Sequence, residues 1–231
     1  MSLLQFENVS KSYGKTLALK NLNLEIPAGR IVGLLGPNGS GKTNLIKLIN
    51  GLLQPDDGSI SINGHQPGPE SKKIVSYLPD TTYLNESMKV KDALNYFQDF
   101  YQDFDRSRAE HLLQDLDIDP NLRFKKLSKG NKEKVQLILV MSRQARLYVL
   151  DEPIGGVDPA ARDYILKTII NNYSPTASVL ISTHLISDIE TILDEVIFLQ
   201  NGEIVRTGNV DDIRYEAGES IDQLFRHEFK A

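Results

Sequence analysis

Residues 36–43 read Gly-Pro-Asn-Gly-Ser-Gly-Lys-Thr. They lie between an apolar run, Ile31 to Leu35, and a helix-like pattern at Leu45, Ile46, Leu48 and Ile49. A strand-to-helix turn of this composition is a phosphate cradle. Gly36, Gly39 and Gly41 let the backbone curl so that several N–H groups meet one anion, with Pro37, Asn38 and Ser40 between them. The helix N-terminus behind them favours negative charge. Lys42 is placed to reach the β- and γ-phosphates of a nucleoside triphosphate, and the Thr43 hydroxyl to complete a Mg²⁺ shell. The expected ligands are therefore a nucleoside triphosphate and Mg²⁺.

A second chemical group lies at the end of Tyr148-Val149-Leu150-Asp151-Glu152-Pro153. A buried strand that delivers carboxylates at its C-terminal edge puts them where parallel sheets bind ligands. Asp151 is expected to hold Mg²⁺ through a water. Glu152 can accept a proton from the attacking water or polarise it. An apolar run ending in two acids is a weak signal alone, and the cradle upstream makes it a strong one.

These groups need a scaffold. Short apolar runs at Leu3–Val9, Ala18–Ile26, Ile31–Leu35 and Ser59–Ile62 read as strands, as do residues 73–78. From about 88 to 126 the pattern turns helical, with Val90, Leu94, Phe97, Tyr101 and Phe104 on one face. Asp105 offers an N-cap to a second helix carrying Ala109, Leu112, Leu113 and Leu116. The aromatic stripe reads as core. Residues 132–144 and Pro159–Asn171 follow as helices, Leu147–Leu150 and Ser178–Ser182 as strands. Asn201-Gly202 marks a hairpin over Val196–Val205, and the tail from 208 holds two short helices. The fold class is α/β, a P-loop NTPase with a mostly parallel central sheet, an N-terminal antiparallel β subdomain and an inserted α-helical subdomain. Its parts are expected at 1–87 and 127–215 for the core, about 88–126 for the helical subdomain and 216–231 for a helical tail.

Composition narrows the classes. Acidic residues outnumber basic ones by 31 to 26 in 231 residues, which argues against a nucleic-acid partner held by counterion release. The chain has no cysteine, so disulfides, thiolate catalysis and Cys-ligated zinc are excluded. Met1–Glu7 lacks the basic and apolar regions of a signal peptide, and no apolar run approaches a bilayer span, so no direct membrane insertion is expected.

The chain resembles the nucleotide-binding subunit of an ATP-binding cassette (ABC) transporter over about 2–215, most closely the small bacterial exporter cassettes. Leu127-Ser128-Lys129-Gly130-Asn131 resembles the family signature, Gly156-Val157-Asp158-Pro159 the loop that crosses the dimer interface, and His184 the switch histidine that contacts the γ-phosphate. Tyr13 resembles the aromatic that stacks on adenine. The Ser128 hydroxyl, the Gly130 N–H and the helix dipole make a second anion site. A bare Leu-Ser-x-Gly is more simply a helix cap, but its position 23 residues before Asp151 favours the signature. The resemblance implies two cassettes closing head to tail over ATP, as a homodimer or with another cassette. It implies an ATPase that drives a separate membrane permease from the cytoplasmic face.

Three departures stand out. Tyr77-Leu78-Pro79-Asp80 carries Asp80 where the family has a glutamine that reports on Mg²⁺ and the attacking water; a carboxylate can still ligate the metal. Lys129 and Asn131 replace Gly and Gln, and Asn44 replaces Ser or Thr, its amide still able to donate to the α-phosphate. Two other readings are carried: a weakly hydrolysing ATP-sensing regulatory cassette, and a soluble cassette ATPase outside transport. The 84 positions from Thr43 to Leu127 leave no room for a long coiled-coil insertion, which weighs against the second.

Overall fold

The computed structural model describes residues 2–155, 157 and 159–229, with the backbone alone for 159–161. Two sheets carry the site. In the first, β1 (Ser2–Tyr13) pairs antiparallel with β2 (Thr16–Pro27) on one side and β4 (Asp57–Ile62) on the other. In the second the order is β5 (Val75–Leu78), β6 (Leu147–Asp151), β7 (Ser178–Thr183), β3 (Ile31–Leu35), β8 (Glu195–Gln200), β9 (Glu203–Asn209). The first five run parallel, and β8–β9 is the antiparallel hairpin expected at Asn201-Gly202.

Strand alternation divides this sheet between two cores. Ile31, Leu35, Tyr148, Leu150, Val179, Ile181, Val196 and Phe198 face one cluster. It is closed by α6 (Pro159–Asn172), α7 (Ile186–Ile189) and α9 (Ile221–Glu228). Val32, Leu34, Val149, Leu180, Ile197 and Leu199 face the other, closed by α1 (Lys42–Ile49) and the first sheet. Successive side chains on a strand point to opposite faces, so the strands between the two cores are apolar over most of their length.

A third cluster joins α3 (Val90–Phe100) and α4 (Arg106–Asp115) to one face of α5 (Lys129–Met141), through Val135, Ile138 and Leu139. The opposite face of α5, with Leu137, Val140 and Met141, belongs to the first core. One helix thus links the central sheet to the helices inserted at 90–115. The aromatic stripe Phe97, Tyr101 and Phe104 packs in this cluster, as the spacing predicts. Asp105 caps α4 by accepting from the Arg108 N–H at 2.9 Å. The tail folds as α8 (Val210–Ala217) and α9.

Two elements differ from expectation. Residues 73–74 end a helix, α2 (Pro69–Ile74), and only Val75–Leu78 is strand. Pro69 opens it with a preset φ, and the Gly68 N–H donates to the Ser71 hydroxyl at 2.8 Å. Its far end is closed from 70 residues away: the buried Arg143 guanidinium donates to the carbonyls of Lys73 (2.8 Å) and Val75 (2.6 Å). The helix expected at 132–144 spans 129–141 instead. Ser128 starts it by accepting from the Asn131 N–H at 3.2 Å. It stops because the Ser142 carbonyl accepts from Asp105 N–H and the Asp103 carbonyl from Gln144 N–H.

Candidate functional site

The site forms where β3, β6 and β7 end side by side. Leu35 is level with Thr183, and Asp151 with Ser182, so residues 36–43, Glu152 and His184 all leave the sheet at one edge. A parallel sheet binds its ligands outside that edge. Here lies a cavity of about 250 Å³ lined by Asn38 through Asn44 with Asp80, Asp151 and Glu152.

The loop is built to leave donors free. Gly39 (φ 81°) and Gly41 (φ 114°) take left-handed backbone, and Gly41 caps α1 with no side-chain bond. The first N–H groups of α1 therefore have no side-chain acceptor, which suits an anion. Lys42 is buried, and its ammonium donates to the carbonyls of Gly36 (2.6 Å) and Pro37 (3.2 Å). Burial lowers its pKa, opposed by Glu152 and Asp151. The Ser40 hydroxyl is buried and has no hydrogen-bond partner among the described residues.

On the facing side, the Ser182 hydroxyl donates to Asp151 Oδ1. Burial raises the Asp151 pKa, Ser182 works against that rise, and Asp80 and Glu152 add to it. A cation delivered to this cavity relieves three mutually repelling carboxylates. The oxygen set fits a hard divalent cation, namely the Thr43 hydroxyl, Asp151 and Asp80. Among the described residues no group of three or more His, Cys, Asp or Glu makes a metal site on its own. Waters and nucleotide oxygens would complete such a shell.

Glu152 follows β6 at φ 49°, a left-handed conformation that is uncommon for this residue type and strained. Its N–H donates to the Ser182 carbonyl at 3.0 Å, and its own carbonyl accepts from Gly155 N–H at 3.0 Å, which fixes the turn. The turn separates the two acids and brings Glu152 Oε2 to 3.0 Å from His184 Nδ1. A carboxylate so held can orient a water and take its proton. The half-exposed Tyr13 donates to Asn44 Oδ1 at 3.1 Å, which sets its ring beside the start of α1 and leaves the Asn44 amide N–H groups to donate.

The other expected residues lie elsewhere. Ser128, Gly130 and Asn131 do not line the nucleotide cavity. They stand at the N-terminal end of α5, where the Ser128 hydroxyl serves as a cap. Of the expected interface loop, Gly156, Asp158 and the Pro159 side chain lie outside the described residues. His65, His111 and His227 are exposed.

Three residues escape the sequence reading. Ser182 holds Asp151, Arg143 closes α2, and the buried Gln136 bonds to Thr82 and Tyr83. Gln136 has a sequence signal, as the lone polar residue in Val135–Met141. The other two are set by distant partners.

The family model described as ABC transporter matches residues 19–155. The ABC-type transporter ATP-binding protein EcsA of Bacillus subtilis (strain 168) is 32% identical over 97% of this chain and 96% of its own length. A solved ATP-binding subunit of an ABC transporter superposes with a TM-score of 0.90 at 31% identity, covering 99% of this chain and all of the other. A dimeric post-hydrolysis cassette bound to ADP and Pi shares the fold, with a TM-score of 0.78 at 23% identity over 89% of this chain and 98% of that one. With the phosphate loop, the strand-end acids and the histidine meeting at one sheet edge, this chain belongs to the ABC transporter family, as an ATP-binding and ATP-hydrolysing subunit.

Proposed function

We propose that this chain is the motor of a transporter whose membrane path is a separate permease, and that two cassettes close head to tail over ATP. The observation that carries the reading is Gly130. A Cβ built there meets nothing within 4 Å, so no neighbour in its own chain demands glycine at the second position of α5. A body from outside that approaches the helix end closely does demand it. Around it, Arg123, Lys125, Lys126, Lys129, Lys132 and Lys134 crowd into twelve residues of an otherwise acidic chain. The positive charge of that run fits the phosphates bound by a partner cassette, whether a second copy or another chain. The dimeric relative of the same fold supports this arrangement.

The cradle 36–43 binds the triphosphate, and Lys42 exchanges the Gly36 and Pro37 carbonyls for phosphate oxygens. Mg²⁺, held by Thr43, Asp151 and Asp80, supplies neutralisation of phosphate charge. Glu152 orients the water and takes its proton as the oxygen attacks the γ-phosphorus. The bond to the bridging oxygen breaks, and ADP leaves with the electron pair. His184 holds Glu152 and faces the γ-phosphate. Tyr13 stacks on the adenine.

No helix among the described residues is long and apolar enough to cross a membrane. A groove of about 840 Å³ runs from Thr43 and Asp80 to the inserted helices, walled by Leu52, Tyr83, Met88, Tyr96 and Phe97. Its half-exposed tyrosines and apolar walls fit a helix of the permease, which holds the cassette at the inner face of the membrane. Asp80 and Asp151 line both this groove and the nucleotide cavity, so docking and nucleotide state meet at shared carboxylates.

The test is the solution mass of Glu152→Gln with Mg²⁺-ATP, with ADP and with neither. Removing the base slows turnover by roughly 10²–10⁴ and traps the state before hydrolysis. A dimer with ATP alone is expected. A monomer in all three conditions overturns closure by the cassettes themselves.

A further inference from the structure

A second cavity, of about 290 Å³, lies on the other side of Asp80. One wall is a polar stripe of α5: Lys129, Glu133 and Gln136, spaced four and three residues apart on one helix face. The opposite wall is Asp80–Thr82, and the floor includes Asp151 and Glu152. The helix whose N-terminal end carries Ser128 and Gly130 therefore also borders the acids of its own protomer's nucleotide cavity.

Gln136 makes the contact specific. It is 3% exposed within an otherwise apolar run. Its Nε2 donates to Thr82 Oγ1 at 3.2 Å, and its Oε1 accepts from the Tyr83 N–H at 3.4 Å. A buried amide adds little to packing that an apolar side chain of the same shape would not, so what it contributes is these bonds. Asp80 is exposed, and its place depends on its flanks. On one side, Leu78 pairs with Leu150 in the sheet and Pro79 stiffens the chain. On the other, Gln136 is the anchor.

We propose that Gln136 is a positioning residue for Asp80. By holding Thr82 and Tyr83 it sets where the Asp80 carboxylate meets the metal–nucleotide, and it ties that position to α5 and the Ser128–Gly130 end. The inference rests on Asp80 being a metal ligand, as proposed above, and the test separates the two.

Binding of a fluorescent ATP analogue to the purified full chain is followed as Mg²⁺ is titrated. Asp80→Asn checks the ligand role. Gln136→Met and Thr82→Val check the anchor, and Gln136→Glu, which keeps the acceptor for the Tyr83 N–H and can accept from the Thr82 hydroxyl turned to donate, checks rescue. Gln136→Met should raise the Mg²⁺ concentration for half-maximal binding by roughly 10-fold, the usual effect of losing a partner behind a ligand. Affinity for metal-free ATP should not change. Thr82→Val should give a similar shift, with the double variant adding nothing further, and Gln136→Glu should restore most of it. If Asp80→Asn moves the Mg²⁺ midpoint and the anchor variants do not, Gln136 is not the positioning residue. An equal loss with and without Mg²⁺ would make its role merely structural and also overturn the proposal. If even Asp80→Asn leaves the midpoint in place, the ligand reading falls first and this one with it. Should Gln136→Met fail to fold, Thr82→Val carries the same test.

Discussion

The turn at 36–43 and the turn at 127–131 both open a helix with Gly and Ser, yet they are held in opposite ways. At the first, the chain's own packing demands glycine: a Cβ on Gly36 would lie 2.3 Å from the Leu199 carbonyl oxygen and 2.6 Å from Ser40 Oγ. Lys42 is buried against the loop carbonyls, and the helix behind carries no side-chain cap. At the second, a Cβ on Gly130 meets open space, and Ser128 already caps its helix. The first turn is shaped by contacts within its own chain. The second has its helix capped and open space at its glycine, which is the room that the proposed closure of a partner cassette needs.

One substitution made at each turn gives opposite signs, and this is the sharpest way to break the comparison. Gly36→Ala forces a methyl into backbone and should destabilise by roughly 1–3 kcal/mol. A chain of this length then melts several degrees lower, at roughly 2–4 °C per kcal/mol. ATP binding should be lost with the distorted loop, as read by the same fluorescent analogue. Gly130→Ala replaces a poor helix former in open space, so stability should rise by up to about 1 kcal/mol. Binding of ATP to the single chain should stay as it is. The ATP-dependent dimer of the Glu152→Gln background should nevertheless weaken by at least about 10-fold in dissociation constant, roughly 1.4 kcal/mol, because the methyl occupies the approach path. A Gly130→Ala chain that is more stable and dimerises as before would show that nothing docks there.

The same contrast explains what the sequence disclosed. Short apolar runs and the Gly-rich turn placed β3, β6, β7 and the cradle, because local sterics and burial dictate them. Lys42, Asp151 and Glu152 were legible for that reason, Asp80 only through the family resemblance, and the structure gathers all four at one cavity. Hidden were contacts that one segment makes for another. Residues 73–74 read as strand because the partner that closes α2 is Arg143, and Arg143 in turn is held by Asp103 at 2.9 Å and lies over the Tyr101 ring. The strained φ of Glu152 and the Ser182 bond to Asp151 follow from the register of β6 on β7, which no local pattern specifies. Gln136 was visible as an oddity, a buried-run amide, but its partners lie 53 and 54 residues earlier.

The smallest effect is expected at the rim of the nucleotide side, where Tyr13 is placed by an exposed carboxylate. Asp56 accepts from Lys11 Nζ at 2.6 Å, from Ser12 N–H at 2.7 Å and from Ser12 Oγ at 2.6 Å, pinning the end of β1 just before Tyr13. Those bonds, with the Lys11 one leading, lower its pKa from 3.8 to about 2. A carboxylate with a depressed folded-state value stabilises the fold above its unfolded-state value and loses that contribution as pH falls through the folded one. Asp56→Asn should therefore melt slightly below the parent at neutral pH, and the gap should close between about pH 4 and pH 2. Thermal melts of the pair across that range read it directly. The exposed position keeps the gap small, since water and salt screen such pairs. Affinity for the ATP analogue should fall only a few-fold, because Tyr13 keeps its bond to Asn44. A gap that persists unchanged at pH 2 would mean that Asp56 holds the strand by shape and not by charge. A loss of ATP affinity as large as that of Gly36→Ala would mean that the adenine platform, and not the cradle, dominates the nucleotide side.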